Sequence, residues 1–362
     1  MADPVPDIAS DIASDPIPRS VRSHSRVRAT GVSTTPVLTA VLAAVVLGAV
    51  VLAGCGDDTS PGAAGPGSAG GVLATTTILA DITKNVGCGK VDVPSVIPAG
   101  SDAHEYEASV QDADRINGSS LIIANGLDLE EGLIDALGQA EGGGVEVVRV
   151  GDGLSPIKAA QHSGVTGGVD PHVWMDPDRM ALAAGIISEQ LQQVGDLPVS
   201  AAEIKACGEA YQAELTALGQ EMDGTLAAVP PEHRKLVTNH EALGYFADRF
   251  DFEVIGAVIP STSSLGETNP RDLEELATAV RDAGVPAIFG ETTQPAAVAR
   301  SLADRVGGDV GVVELFTESL GRPGSGADTY AGMMRTDARR VAEALGGAAG
   351  APGTAGAAGA AG

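Results

Sequence analysis

Short apolar runs recur along the chain at Val72–Thr76, Leu121–Ala124, Val145–Val150, Lys235–Thr238, Val254–Ile259, Ala287–Gly290 and Val310–Leu315. Most contain β-branched residues, and helical patterns follow many of them. Runs this short, without polar alternation, predict strands buried on both faces. Their alternation with helices predicts parallel sheets with crossover helices, an α/β architecture. No internal repeat is visible.

One helical pattern is much longer than the rest. Ser200-Ala201-Ala202-Glu203 has the spacing of a capping box, in which Ser and Glu side chains satisfy orphan amides. Ile204, Cys207, Tyr211, Leu215, Leu218, Met222 and Leu226 then follow at intervals of three or four and make one apolar stripe. Pro230-Pro231 ends it. A helix of roughly 29 residues would span about 43 Å, more than one small α/β lobe needs, and so predicts a strut joining two. The expected organisation is an N-terminal lobe over 72–198, a linking helix over 199–230 and a C-terminal lobe over 231–346.

Both ends of the chain read differently. Arg19, Arg22, Arg26 and Arg28 precede an apolar stretch from Val37 to Leu52, which stops at Leu52-Ala53-Gly54-Cys55. The stretch is short against the ~20 residues of a membrane span. A basic region, a short apolar core and small residues at its end form a secretory signal over 1–54. The Leu-Ala-Gly-Cys ending resembles a bacterial lipobox, which implies cleavage before Cys55 and a lipid on its sulfur. Residues 55–71 then read as a flexible tether and 347–362, almost entirely Gly and Ala, as a disordered tail.

Composition removes whole classes of function. The formal charge is −26, and the signal carries four acids and four bases, so the exported part keeps all of it. Nucleic-acid binding needs clustered Lys and Arg, which this balance does not supply. One Trp, four Tyr and five Phe are too few for a stacking platform. Of three cysteines, Cys55 is taken by the lipid. Cys88 and Cys207 remain as an even pair in an oxidising compartment, where a disulfide and two buried thiols are both open.

Among six histidines, His24 leaves with the signal, and His162 and His233 sit in polar loops that read as solvated. The other three share a setting. His104 follows the largely apolar Val93–Ile97, His172 lies between prolines in Asp170-Pro-His-Val-Trp-Met-Asp-Pro177, and His240 comes just past a predicted strand. Ligands of open α/β sheets gather at such strand ends. Each has an acid nearby, Glu105, Asp170 or Glu241, able to orient an imidazole ligand. His240-Glu241 begins like a zincin helix, but the position of the second histidine is Gly244. No nucleophile elbow, Cys-x-x-Cys or phosphate loop is present.

These motifs occur in a particular order. Pro98-Ala-Gly-Ser-Asp-Ala-His-Glu-Tyr-Glu107 and Ile123-Ala-Asn-Gly-Leu-Asp-Leu-Glu130 come first, then Asp170-Pro-His-Val-Trp-Met-Asp-Pro177 and the capped long helix. Thr238-Asn-His-Glu-Ala-Leu-Gly-Tyr-Phe246, Leu315-Phe-Thr-Glu-Ser-Leu-Gly321 and Ala327-Asp-Thr-Tyr-Ala-Gly-Met-Met334 complete the series. From about Val72 to Leu345 the chain resembles the zinc/manganese-binding solute-binding proteins of ABC transporters. The resemblance implies two α/β lobes joined by one rigid helix with zinc or manganese in the cleft between them. It implies a monomer on the outer face of the cell membrane that hands the ion to a permease and its ATPase. It implies His104, His172 and His240 as ligands, although Ala103 replaces the usual proline beside the first. The fourth ligand, usually aspartate, falls on Glu318, and Glu291 is the competing carboxylate.

Three imidazoles and one carboxylate suit a compact zinc or manganese site. Four protein ligands leave no open position for an activated water, which argues for carriage rather than catalysis. The competing readings are a zinc-dependent hydrolase and a lipid-anchored adhesin or interaction module. Lys158–Val169 contains only His162, so the long His-rich loop of some zinc members is absent.

Overall fold

The computed structural model describes residues 70–159, 168–308 and 310–346. The expected signal, the Cys55 lipidation site, nearly all of the tether, His162 and the Gly/Ala tail lie outside the described residues. All seven expected strands are present, with ends within two residues of the expectation.

Strands β1 (Val72–Ala74), β2 (Leu121–Ala124) and β3 (Glu146–Arg149) form one parallel sheet in that order, with Val72 opposite Leu121 and Leu121 opposite Glu146. Beside β1, the N–H groups of Val96 and Ile97 donate to the carbonyls of Ala74 and Thr75 at 2.8 and 2.9 Å. The apolar Val93–Ile97 segment thus leads along the sheet toward His104. Helices α1 (Thr77–Val86), α2 (Val110–Asn117), α3 (Ile134–Gly142) and α4 (Pro177–Leu191) belong to this lobe. The second sheet contains β4 (Lys235–Thr238), β5 (Glu253–Ala257), β6 (Ala287–Glu291) and β7 (Gly311–Leu315). It is parallel throughout, in the order β5-β4-β6-β7.

The long helix α5 runs from Ala201 to Leu226, 26 residues, or about 39 Å at 1.5 Å per residue. Its capping box forms as read. The Ser200 hydroxyl accepts from Glu203 N at 3.3 Å, and the Glu203 carboxylate accepts from Ser200 N at 3.0 Å. The buried stripe contains Ile204, Gly208, Tyr211, Leu215, Leu218, Gly219, Met222 and Leu226. It passes through Gly208 rather than Cys207, which is only half-buried. Gly208 has to be small because a Cβ there would press on Ser188 of α4. Cys207 instead forms a disulfide with Cys88, in the turn after α1.

Helices α6 (Gly244–Phe250), α7 (Pro270–Ala283), α8 (Ala297–Val306) and α9 (Tyr330–Gly346) complete the second lobe. Helix α5 packs against α1 and α4 on one side and α9 on the other. The main apolar core therefore passes continuously from Ile122 and Ile187 through Leu215 and Leu218 to Met334 and Val341. A smaller core around Val237, Ala277, Ile288 and Leu302 fills the outer part of the second lobe. Removing one fully buried side chain from the shared face, as in Leu215→Ala, costs roughly 2–5 kcal/mol. No helix among the described residues is long and apolar enough to cross a membrane.

Candidate metal centre

Parallel strands deliver their C-terminal ends to the cleft between the sheets, and three site residues arrive that way. His240 lies two residues past the end of β4, and Glu291 is the last residue of β6. Glu318 lies three residues past the end of β7. The pairing of Thr238 with Phe289 sets the register, so His240 and Glu291 each stand two residues further along adjacent strands. From the first lobe, His104 and His172 come from loops. The Asp102 carboxylate accepts from His104 N, and the Asp170 carboxylate from His172 N, both at 2.9 Å. In each loop an aspartate two residues upstream thus fixes the histidine backbone.

His104, His172, His240 and Glu318 come together, each offering one donor atom, and these atoms all lie within 4.8 Å of one another. Nε2 of His172 is 3.4 Å from Nε2 of His104, 3.1 Å from Nε2 of His240 and 3.4 Å from Oε1 of Glu318. His240 Nε2 is 3.6 Å from the same oxygen. Ligands about 2.0–2.1 Å from a tetrahedral ion stand ~3.3 Å apart, so the cluster has the dimensions of a coordination shell. All four residues are buried. Neither Glu318 oxygen has a hydrogen-bond partner, an arrangement that is costly for a buried carboxylate unless a cation faces it.

Glu291 does not share that centre. Its Oε1 accepts from both the ring Nδ1 of His240, at 2.7 Å, and the backbone N of His240, at 3.1 Å. Its Oε2 accepts from the Thr317 hydroxyl at 2.8 Å. Asp170 Oδ1 likewise accepts from Nδ1 of His172 at 2.7 Å. Each carboxylate fixes the Nδ1–H tautomer and turns Nε2 into the cleft. Of the three acids near the histidines in sequence, only Asp170 therefore orients a ring. Glu105 accepts from Gln294 instead, and both Glu241 oxygens lack a hydrogen bond. A residue adjacent to a loop histidine points its side chain elsewhere, while one across a strand pair faces it.

The motif ending in Glu130 supports the site from behind. The buried Glu130 carboxylate accepts from the Thr75 hydroxyl and from the amides of Asn125 and Gly126. These bonds hold Leu127 and Asp128 in the left-handed region, with φ of 57° and 61°. Asn125 then donates to Pro171 O at 2.9 Å, next to His172. Trp174 donates to Thr317 O across the cleft at 2.6 Å, next to Glu318. None of these supporting roles follows from local spacing.

The protonation of the cluster is uneven. Burial pushes the His172 imidazole down, but the Asp170 and Glu318 carboxylates outweigh burial and hold it up at about 10. His240 is raised too, since Glu291 overcomes burial. Burial, helped by the two neighbouring imidazoles, pushes His104 down to about 4. Burial works to raise Glu291, yet the contacts with His240 and Thr317 leave it lowered.

Such a fold and site define a two-lobed α/β protein with a buried, cation-sized centre in its cleft. Residues 72–344 match the family described as "Zinc-uptake complex component A periplasmic", and the chain belongs to that family. It is 32% identical over 283 residues to the zinc-binding protein TroA of Treponema pallidum (strain Nichols), covering 76% of this chain and 88% of that protein. It is 29% identical over 287 residues to the manganese-binding lipoprotein MntA of Halalkalibacterium halodurans, covering 78% and 90%. The solved structure of the periplasmic zinc-binding protein TroA from Treponema pallidum superposes with a TM-score of 0.69. That alignment has 30% identity and covers 76% of this chain and 98% of the other.

Proposed function

We propose that this protein captures a zinc or manganese ion outside the cytoplasm and delivers it to an ABC permease and its ATPase. Family membership supports the transport role, and relatives are named for zinc and for manganese. The observation that carries the reading for this chain is the unpartnered, buried Glu318 carboxylate at coordination distance from three imidazole nitrogens. His104, His172, His240 and Glu318 are the ligands in this reading, and Glu291 positions His240.

Four protein donors around one ion make a carrier, not an enzyme, because no position remains for a reacting water. One Glu318 oxygen completes a four-coordinate site of the kind zinc prefers. Engagement of both oxygens gives the higher coordination number that manganese accepts. The lobes are 72–198 and 231–346, joined by the helix within 199–230. The mature monomer is held at the membrane by a lipid on Cys55.

Element analysis of the 55–362 fragment purified without chelator tests the function, with competition between zinc and manganese. One equivalent of ion per chain, abolished by joint replacement of His104 and His172 with alanine, is the expected outcome. A wild-type chain that neither contains nor takes up an equivalent would overturn it. Mass determination of the membrane-extracted protein checks the Cys55 lipid.

A further inference from the structure

The four donor residues are not equally enclosed. A cavity of about 760 Å³ opens beside the centre, and of the four only His104 lines it. Its walls come from both lobes and include Asp128, Glu131 and Asp152 on one side and Thr262 and Ser263 on the other. The cationic wall residue Arg149 is paired with Glu141 through two contacts of 2.6 and 2.8 Å, which leaves the carboxylates to set the local charge.

His104 also lacks the support given to the other two rings. Its Nδ1 is buried without a hydrogen-bond partner, whereas His172 and His240 each hold a buried carboxylate at 2.7 Å. The nearest acid to His104 Nδ1 is Glu131 Oε1, at 3.5 Å, on a side chain that is 40% exposed. That same oxygen accepts from the Ser263 hydroxyl of the opposite lobe at 2.6 Å. One oxygen thus stands between a ring nitrogen of one lobe and a hydroxyl of the other.

We propose that Glu131 is an exchangeable positioning residue. Its Oε1 is shared between the Ser263 hydroxyl across the cleft and His104 Nδ1, and the more it turns to the ring the more firmly His104 holds an ion that enters from the cavity on that side. The inference rests on the metal-binding function above. When Nε2 gives its lone pair to an ion, the ring proton stays on Nδ1, and electron withdrawal by the metal makes that N–H a stronger donor. Glu131 is the acceptor within reach, and taking it from Ser263 couples ion occupancy to a contact between the lobes. Glu131 touches no ion; it sets how firmly His104 is presented.

The test is the rate at which zinc-loaded protein loses its ion to excess chelator, measured by stopped flow for wild type, Glu131→Ala, Glu131→Gln and Ser263→Ala. Removing the acceptor in Glu131→Ala speeds release about tenfold, the low end for loss of a residue supporting a ligand. Glu131→Gln keeps a carbonyl acceptor and recovers part of that loss. Ser263→Ala frees the carboxylate for His104 and slows release. A merely structural role would move the alanine variants in the same direction. That result, or wild-type release from Glu131→Ala with its melting curve unchanged, would overturn the proposal. Failure of the wild type to load zinc or manganese would instead remove the function on which it stands.

Discussion

Asp170 Oδ1 holds both the backbone N–H and the ring Nδ1 of His172, at 2.9 and 2.7 Å. Two bonds to one oxygen lock the imidazole in position and tautomer. The same carboxylate, with Glu318, keeps a proton on the ring of the metal-free protein at neutral pH. A ligand nitrogen must be deprotonated to bind, so metal uptake displaces that proton. Affinity therefore rises with pH through neutrality toward about 10. Calorimetric titration with metal in buffers of different ionisation enthalpy reads the proton release directly. A binding enthalpy independent of buffer would contradict it.

The same shift has the opposite consequence for the stability of the metal-free chain. A histidine raised above its unfolded value of ~6.5 stabilises the fold fully below that pH. The contribution of His172 then fades as pH climbs from about 6.5 to about 10. Chemical denaturation of the chelated protein at pH 6.5 and 9.5 should show a lower midpoint at the higher pH, and adding metal should reduce the difference.

Glu291→Gln and Asp170→Asn keep the size of the side chain but remove the charge behind a ring. Each should weaken metal binding about 10- to 100-fold, measured by competition with a chelating dye, with one ion per chain retained. Loss of stoichiometry in Glu291→Gln alone would return that residue to the set of direct ligands.

Gly244 begins α6 where a Cβ would collide with Asp170 Oδ2. Gly244→Ala should therefore weaken metal binding by tilting His172 while leaving far-UV circular dichroism unchanged. Wild-type affinity in this variant would show that Asp170 has room to move without disturbing the ring.

The bridge from Cys88 to Cys207 closes a loop across a sequence separation of 119. Replacing both cysteines with serine should lower stability by about 2–4 kcal/mol, as a disulfide of long loop does. The centre lies elsewhere, so the variant should hold metal with wild-type affinity once folded.

The strands and α5 were legible because their signals are local, namely β-branched apolar runs, a capping box and a three-to-four stripe. His104, His172 and His240 stood out for local reasons too, His104 and His240 just past apolar runs and His172 between prolines. Recognition of Glu318 as the fourth member required an ordered series of motifs rather than any single pattern. What escaped were the partners that depend on register between distant segments. Nothing near His240 in the chain marks Glu291, which reaches it only because Thr238 pairs with Phe289. Glu131 was hidden likewise, while Glu105 and Glu241, adjacent to histidines in sequence, face other surroundings. Asp170, two residues before His172, was the ring partner that local spacing did expose, and Asp102 stands in the same relation to His104.

Carboxylates govern the protonation of the buried cluster. His172 and His240 both bind protons more tightly than free imidazole, and three carboxylates, Asp170, Glu291 and Glu318, lie against them. A proton on His172 and a metal ion at the same centre are compensated by the same carboxylates, so one must leave for the other to be held. Acid and metal are thus rivals for one place, and an acidic surrounding empties the cleft of its ion.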